Sequence, residues 1–185
     1  MIYPITVYGD PILRKVALPI EKPEDLDKTF LNDLWETMYF SDGVGLAAPQ
    51  VGKSVRIFVV DASAGADTEP ELKNFKKAFI NPLIIEKTGE EKTMNEGCLS
   101  LPEIREDVVR PESIKIRYLD EDFIEHEEVF KGFAARVIQH EYDHLEGKLL
   151  IDYLTPLKRR LMKSKLNNIS KGKVETHYRI KIPVK

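Results

Sequence analysis

The chain has one cysteine, Cys98, so no disulfide can form within it. No apolar run approaches the roughly 20 residues needed to span a bilayer, which argues against a membrane-embedded protein. The first residues, Met1-Ile2-Tyr3-Pro4, lack the charged-then-apolar order of a secretory signal. They also lack the Arg- and Ser-rich character of an organelle-targeting segment. A bacterial cytoplasmic location is the expectation. No internal repeat, low-complexity tract or domain linker is visible. With 185 residues the chain is long enough for one sizeable core, and residues 1–185 are read as a single domain.

Its composition is 42% apolar and 32% charged, that of an ordinary globular protein. The net charge of −3 conceals an asymmetry. Between Tyr153 and Lys173 there are seven basic residues and no acid, leaving 21 basic against 31 acidic residues elsewhere, a net −10. A basic segment on an acidic body suggests a polyanionic partner. The bland reading is a solvated helix whose cations favour its negative end.

The spacing of Leu26, Phe30, Leu34 and Met38 predicts a helix over 24–40, with Pro23 in its first turn. Asp42 to Gly52 reads as a glycine-rich loop or irregular edge. Val55–Val60 reads as a buried strand, and Phe79–Ile85, Ser113–Tyr118 and Glu125–Phe130 as further strands. Ala62–Lys77 has no period and reads as a surface insertion. Phe133–Leu145 reads as a helix stopped by Gly147. Thr155-Pro156 opens a second helix to about Ile169, and alternation from Val174 to Val184 predicts a closing strand. Strands dominate the middle and helices lie early and late. The expected class is α+β: mixed or antiparallel sheets packed around the 133–145 helix, with a C-terminal helix and a terminal strand.

The strongest chemical signal is His140-Glu141-Tyr142-Asp143-His144. Residues four apart share a helix face, so both imidazoles can reach one ion. Glu141 is rotated off that line by roughly 100°, as suits a base acting on water rather than a ligand. Two solvated histidines on a helix are the bland alternative. A catalytic divalent ion usually takes three protein ligands and leaves one position open. No third histidine follows His144, and Glu175 is a distant carboxylate without supporting context. Cys98 lies between two predicted strands, and its thiolate would complete a Cys-His-His set. Such a set suits Zn²⁺, Fe²⁺, Co²⁺ or Ni²⁺.

Three blocks in this order resemble the signature motifs of the peptide deformylase family. They are Gly43-Val44-Gly45-Leu46-Ala47-Ala48-Pro49-Gln50, then Glu96-Gly97-Cys98-Leu99-Ser100, then Gln139-His140-Glu141-Tyr142-Asp143-His144-Leu145-Glu146-Gly147. Gly9 to Arg14 is similar to the family's N-terminal segment. The resemblance implies removal of the formyl group from N-terminal formyl-methionine of new polypeptides. It implies metal ligation by Cys98, His140 and His144, with Fe²⁺ in the cell and zinc, nickel or cobalt possible after purification. It implies Glu141 as the base, and Gln50 and the Leu99 N–H as oxyanion donors.

On the substrate side, the resemblance and helical spacing nominate Val44, Gly45, Glu96, Arg105, Phe133 and Val137. Val44, Val137 and Phe133 would form the methionine pocket, although core packing explains Phe133 almost equally well. Arg105 is either a substrate contact or a solvated surface arginine. Asp143 is expected to pair with Arg110, and His126 and His177 to lie at the surface. The expected partners are a formyl-Met peptide and, through residues 153–173, the ribosome, with no membrane and no specific DNA. Two rivals remain open: a zinc peptidase with the same helical motif, and a non-catalytic metal-binding module.

Overall fold

The computed structural model describes residues 1–184. Helix α1 spans Lys28–Phe40 and begins four residues later than the apolar spacing suggested. Pro23–Asp25 forms a separate 3-10 turn. Asp27 is extended and accepts a hydrogen bond from the Phe30 N–H at 3.0 Å, and this cap sets the true start. Leu31, Leu34, Trp35 and Met38 face inward.

Five strands form one antiparallel sheet in the order β2-β3-β4-β5-β6. They are β2 (Gly45–Ala47), β3 (Ile57–Asp61), β4 (Lys76–Gly97), β5 (Arg105–Leu119) and β6 (Glu125–Lys131). The continuous apolar run of β3 has a simple cause. Successive side chains point to opposite faces, and both faces are covered. Phe58 and Val60 join the core beneath helix α2 (Gly132–Leu145), with Phe79, Ile114, Ile116, Ala135 and Ile138. Ile57 and Val59 join the core beneath α1, with Leu34, Met38, Leu46 and Ile80.

The β4–β5 hairpin runs far beyond its predicted strands, 22 and 15 residues with three register shifts. Residues Glu86–Asn95 are exposed and mostly polar, so no apolar alternation marked them as strand. Backbone pairing with β5 holds them, and this extension carries the chain to Glu96 and Cys98. The mixed α+β class matches the architecture.

Helix α2 ends at Leu145, and Gly147 just beyond it has a φ of +68°, which suits glycine at a left-handed helix stop. The predicted second helix is two helices, α3 (Pro156–Leu161) and α4 (Lys163–Ser170), broken at Met162. Thr155 caps α3 as expected, accepting from the Lys158 N–H at 3.3 Å. The predicted closing strand shrinks to β7 (Ile180–Lys181), which pairs in parallel with β1 (Ile5–Thr6). Upstream of it the backbone bonds elsewhere: the Glu175 N–H donates to a Glu103 carboxylate oxygen at 3.2 Å.

The segment read as a surface insertion is partly packed. It forms two 3-10 turns, Ser63–Gly65 and Pro70–Asn74, with Ala62 and Leu72 buried in the core beneath α2. The Glu69 carboxylate accepts the Phe133 N–H at 2.9 and 3.2 Å, which caps the start of α2 from a distant segment.

Candidate active site

Helix α2 puts His140 and His144 on one face, and the end of β4 delivers Cys98 opposite them. Cys98 Sγ lies 3.4 Å from His144 Nε2, and one donor atom from each of the three residues falls within 4.8 Å of the others. A tetrahedral ion with metal–ligand bonds of about 2.0–2.3 Å separates its donors by roughly 3.3–3.8 Å, so the set fits a single divalent cation. The third donor beside the two histidines is Cys98, not Glu175, and the rival peptidase arrangement has no support in this geometry.

The two histidines sit in different electrostatic surroundings. Burial opposes a charge on His140, but contacts with Cys98 and Glu96 outweigh it and hold its pKa well above the ordinary value. Burial, aided by the neighbouring His140, pushes His144 well below it. The His140 Nδ1–H points at Glu96 Oε2 at 2.9 Å, which turns Nε2 toward the donor set.

Glu96 was nominated for the substrate side, but both its oxygens are engaged within the protein. Arg110 donates to them at 2.7 and 3.1 Å, and Arg136 donates to Oε1 at 2.8 Å. Burial would raise this carboxyl, but hydrogen bonds from His140 and Arg110 drive it well below the usual range. It is a buried anion in contact with His140. The expected Asp143–Arg110 pair is present at 2.7 Å, and the Tyr153 hydroxyl donates to the same Asp143 oxygen at 2.7 Å. Neither Arg136 nor Tyr153 was singled out in the sequence, where nothing marks an arginine inside α2 as anything but solvated.

Glu141 is buried between α2 and β2, and its Oε2 has no hydrogen-bond partner among the described residues. Burial raises its pKa to about 7, with the neighbouring His140 charge opposing the shift. An unsatisfied buried carboxylate beside the donor set is placed to exchange a proton with a reacting water. Gly45 makes room for it. A Cβ there would lie 2.6 Å from Glu141 Oε1 and 2.8 Å from its Cγ. The sequence nominated this glycine for the substrate side; it lines the cleft and also lies in close approach to Glu141.

The Gln50 side chain is fixed at both ends. Its Oε1 accepts the Ala47 N–H at 2.9 Å, so Nε2 faces Ser100 Oγ at 3.3 Å and Cys98 Sγ at 3.7 Å. The Leu99 N–H has no hydrogen-bond partner among the described residues. The Gln50 amide thus sits beside the thiol, with Leu99 next to it in the cleft lining.

These groups border a cleft of about 630 Å³. Val44, Gly45, Gln50, Glu96, Cys98, Leu99, Arg105, Phe133, Val137, His140 and Glu141 all line it, while His144 lies behind. Arg105 is tied to Asn95, whose side-chain oxygen accepts its Nε–H at 2.9 Å. Glu175–Tyr178 also form the cleft wall, and nothing in the sequence marks them for it. His177 is exposed as expected, but it stands at the cleft and lies 3.2 Å from Asp42.

A family model described as polypeptide deformylase matches residues 2–160. The chain is 53% identical to a peptide deformylase of Christiangramia forsetii, over 99% of this chain and 97% of the relative. It is 53% identical to one of Cytophaga hutchinsonii over the full length of both. A crystal structure of a peptide deformylase from Legionella pneumophila superposes with a TM-score of 0.82 at 38% identity, covering 94% of this chain and 98% of that one. Among the described residues, no helix is long and apolar enough to cross a membrane.

Proposed function

The chain belongs to the polypeptide deformylase family, whose function is deformylation of nascent peptides, and we propose that it hydrolyses the formyl group of N-terminal formyl-methionine using one divalent ion held by Cys98, His140 and His144. The observation that carries this reading is the juxtaposition of a three-donor set with an unpartnered, buried Glu141 in one cleft.

When bound, the ion would supply Lewis-acid polarisation of water and of the formyl oxygen. Glu141 accepts the proton of the attacking water and returns it to the departing amine. The products are formate and the free amino terminus. The Gln50 amide and the Leu99 N–H donate to the oxygen that gains negative charge as the carbonyl carbon becomes tetrahedral. Because Gln50 is anchored on Ala47, its donor needs no reorganisation. Glu96 holds the His140 tautomer. Val44, Phe133 and Val137 take the methionine side chain, and Arg105 borders the outgoing peptide. Fe²⁺ is the proposed resident ion, with Zn²⁺, Ni²⁺ and Co²⁺ fitting the same donors.

The test is formate release from formyl-Met-Ala-Ser by anaerobically purified, Fe²⁺-loaded protein beside its Glu141→Ala variant. Release that the variant loses by at least about 100-fold, with metal still bound, supports both reaction and base. A metal-replete wild type that releases no formate overturns the reading.

The substrate emerges from the ribosome in the bacterial cytosol, and we place ribosome contact on α3–α4. Arg159, Arg160, Lys163 and Lys165 are exposed there, beside Lys158, which also bonds Glu106 at 2.9 Å. Cations on one surface raise encounter rates with RNA in a salt-dependent way. Replacing Lys158, Arg159 and Arg160 with Ser should weaken ribosome co-sedimentation; unchanged binding sinks the idea.

A further inference from the structure

We infer that Tyr178, on the C-terminal segment, is a positioning residue that locks the turn which carries Cys98 and Leu99 and which meets the Gln50 amide through Ser100. The inference rests on the deformylase reading above.

The turn is Cys98-Leu99-Ser100-Leu101, closed by the Leu101 N–H donating to the Cys98 carbonyl at 2.9 Å. In such a turn the central peptide, here Leu99–Ser100, is the unit that flips between type I and type II geometries. Its carbonyl is held: the Tyr178 hydroxyl donates to Leu99 O at 3.0 Å. The next carbonyl, of Ser100, accepts the Tyr8 N–H at 3.0 Å. A flip would release Tyr178 and re-aim Ser100, whose hydroxyl meets the Gln50 amide at 3.3 Å. It would also loosen Leu99, which lines the cleft. One hydroxyl therefore restrains the supports of Leu99 and Gln50 together.

Tyr178 is itself well anchored. Its ring packs against the core beneath α1. The Thr176 hydroxyl donates to the Tyr178 carbonyl at 2.7 Å, and the Ile5 N–H donates to the Arg179 carbonyl at 2.8 Å. The segment is thus tied to β1 on one side and to the active-site turn on the other. The family model ends at residue 160, so Tyr178 lies beyond the residues it matches.

The experiment compares Fe²⁺-loaded wild type with Tyr178→Phe, which removes only the hydroxyl. Donors that act mainly on the transition state change kcat and leave KM almost untouched. Loss of one oxyanion donor outright costs about 100- to 1,000-fold, so a loosened pair should lower kcat by about 5- to 20-fold with KM within about twofold. Para-aminophenylalanine at position 178 restores an N–H donor and should recover most of the rate. Amide exchange at Leu101 should accelerate in Tyr178→Phe while that of Val59 in β3 stays unchanged. Equal acceleration at both positions, or a rate loss that follows loss of metal, indicates a general structural role and overturns the inference. Unchanged kcat in an active background also overturns it and leaves the deformylase reading intact. An inactive metal-loaded wild type removes both.

Discussion

Arg110 and Asp143 form a 2.7 Å ion pair, with the Arg110 side chain only 2% exposed. The pair joins β5 to α2 at the level of the His140–His144 turn. The same guanidinium grips both oxygens of Glu96, and its carbon lies 4.6 Å from the Tyr153 ring centre. One arginine thus ties the Cys98 strand, the His140 partner and the His144 turn into a single unit. The planar fork of arginine suits this use, because two parallel N–H donors match one carboxylate.

Replacing Arg110 with Met should destabilise the fold by about 3–5 kcal/mol, since buried Asp143 would lose its ion-pair partner and buried Glu96 one of its two arginines. Arg110→Lys should recover only part, because an ammonium cannot bridge the same acceptors in that geometry. Urea denaturation of the three proteins measures this. A loss below about 1 kcal/mol for the Met variant would contradict the charge argument.

Glu96→Gln tests whether this residue orients His140 rather than binds substrate. Metal affinity should fall by about 10- to 100-fold, the usual cost of losing a carboxylate behind a ligating histidine. KM for the formyl peptide at saturating metal should stay within about twofold. Competition with a calibrated chelator gives the first quantity and steady-state kinetics the second. A raised KM with unchanged metal affinity would return Glu96 to the substrate side.

Glu69→Ala removes the carboxylate that caps the Phe133 N–H. The expected loss is about 1 kcal/mol, or a fall in melting temperature of about 2–4 °C for a chain of this size. Glu69→Gln keeps an acceptor and should lose less. Calorimetry on the three proteins decides, and an unchanged melting temperature in the Ala variant would mean the 62–74 turns do not support the helix.

The carboxylate of Asp61 provides a pH signature. Burial would raise it, but hydrogen bonds from Ser63 and the Tyr39 hydroxyl, the latter at 2.7 Å, bring it below its ordinary value. A depressed folded pKa means that the folded state favours the ionised form. This stability is therefore complete above the unfolded value of about 3.9 and fades as pH falls through the folded value. The stability gap between wild type and Asp61→Asn should be constant from pH 5 to 7 and narrow below about pH 4. A gap that widens on acidification would show that the sign is wrong.

Much of the site could be read along the chain because it is local. The four-residue spacing of His140 and His144 already implies one helix face, and Gly147 already implies where that helix stops. The pairing of Asp143 with Arg110 was reachable because both are charged residues flanking buried elements. What was missed depends on segments distant in sequence. Arg136 looked like one more helical cation, yet it is 5% exposed and bonds Glu96, the Val108 carbonyl and the Lys92 carbonyl. The exposed half of the β4–β5 hairpin carried no apolar alternation, because pairing of backbone rather than burial of side chains maintains it.

The sequence by itself determined the chemistry available: which residues are able to donate to an ion, which carboxylate sits beside them, and which helix presents them. Those features follow from residue type and helical period, and both are properties of neighbours along the chain. Tertiary structure alone decided how each group is held. It placed Glu69 at the start of α2, 64 residues away in sequence, and Glu141 against Gly45. It also carried Tyr178 back to the Leu99 carbonyl across 79 residues. Contacts at that separation leave no periodic trace, since they form only when packing of the two cores on either side of the sheet brings the segments together.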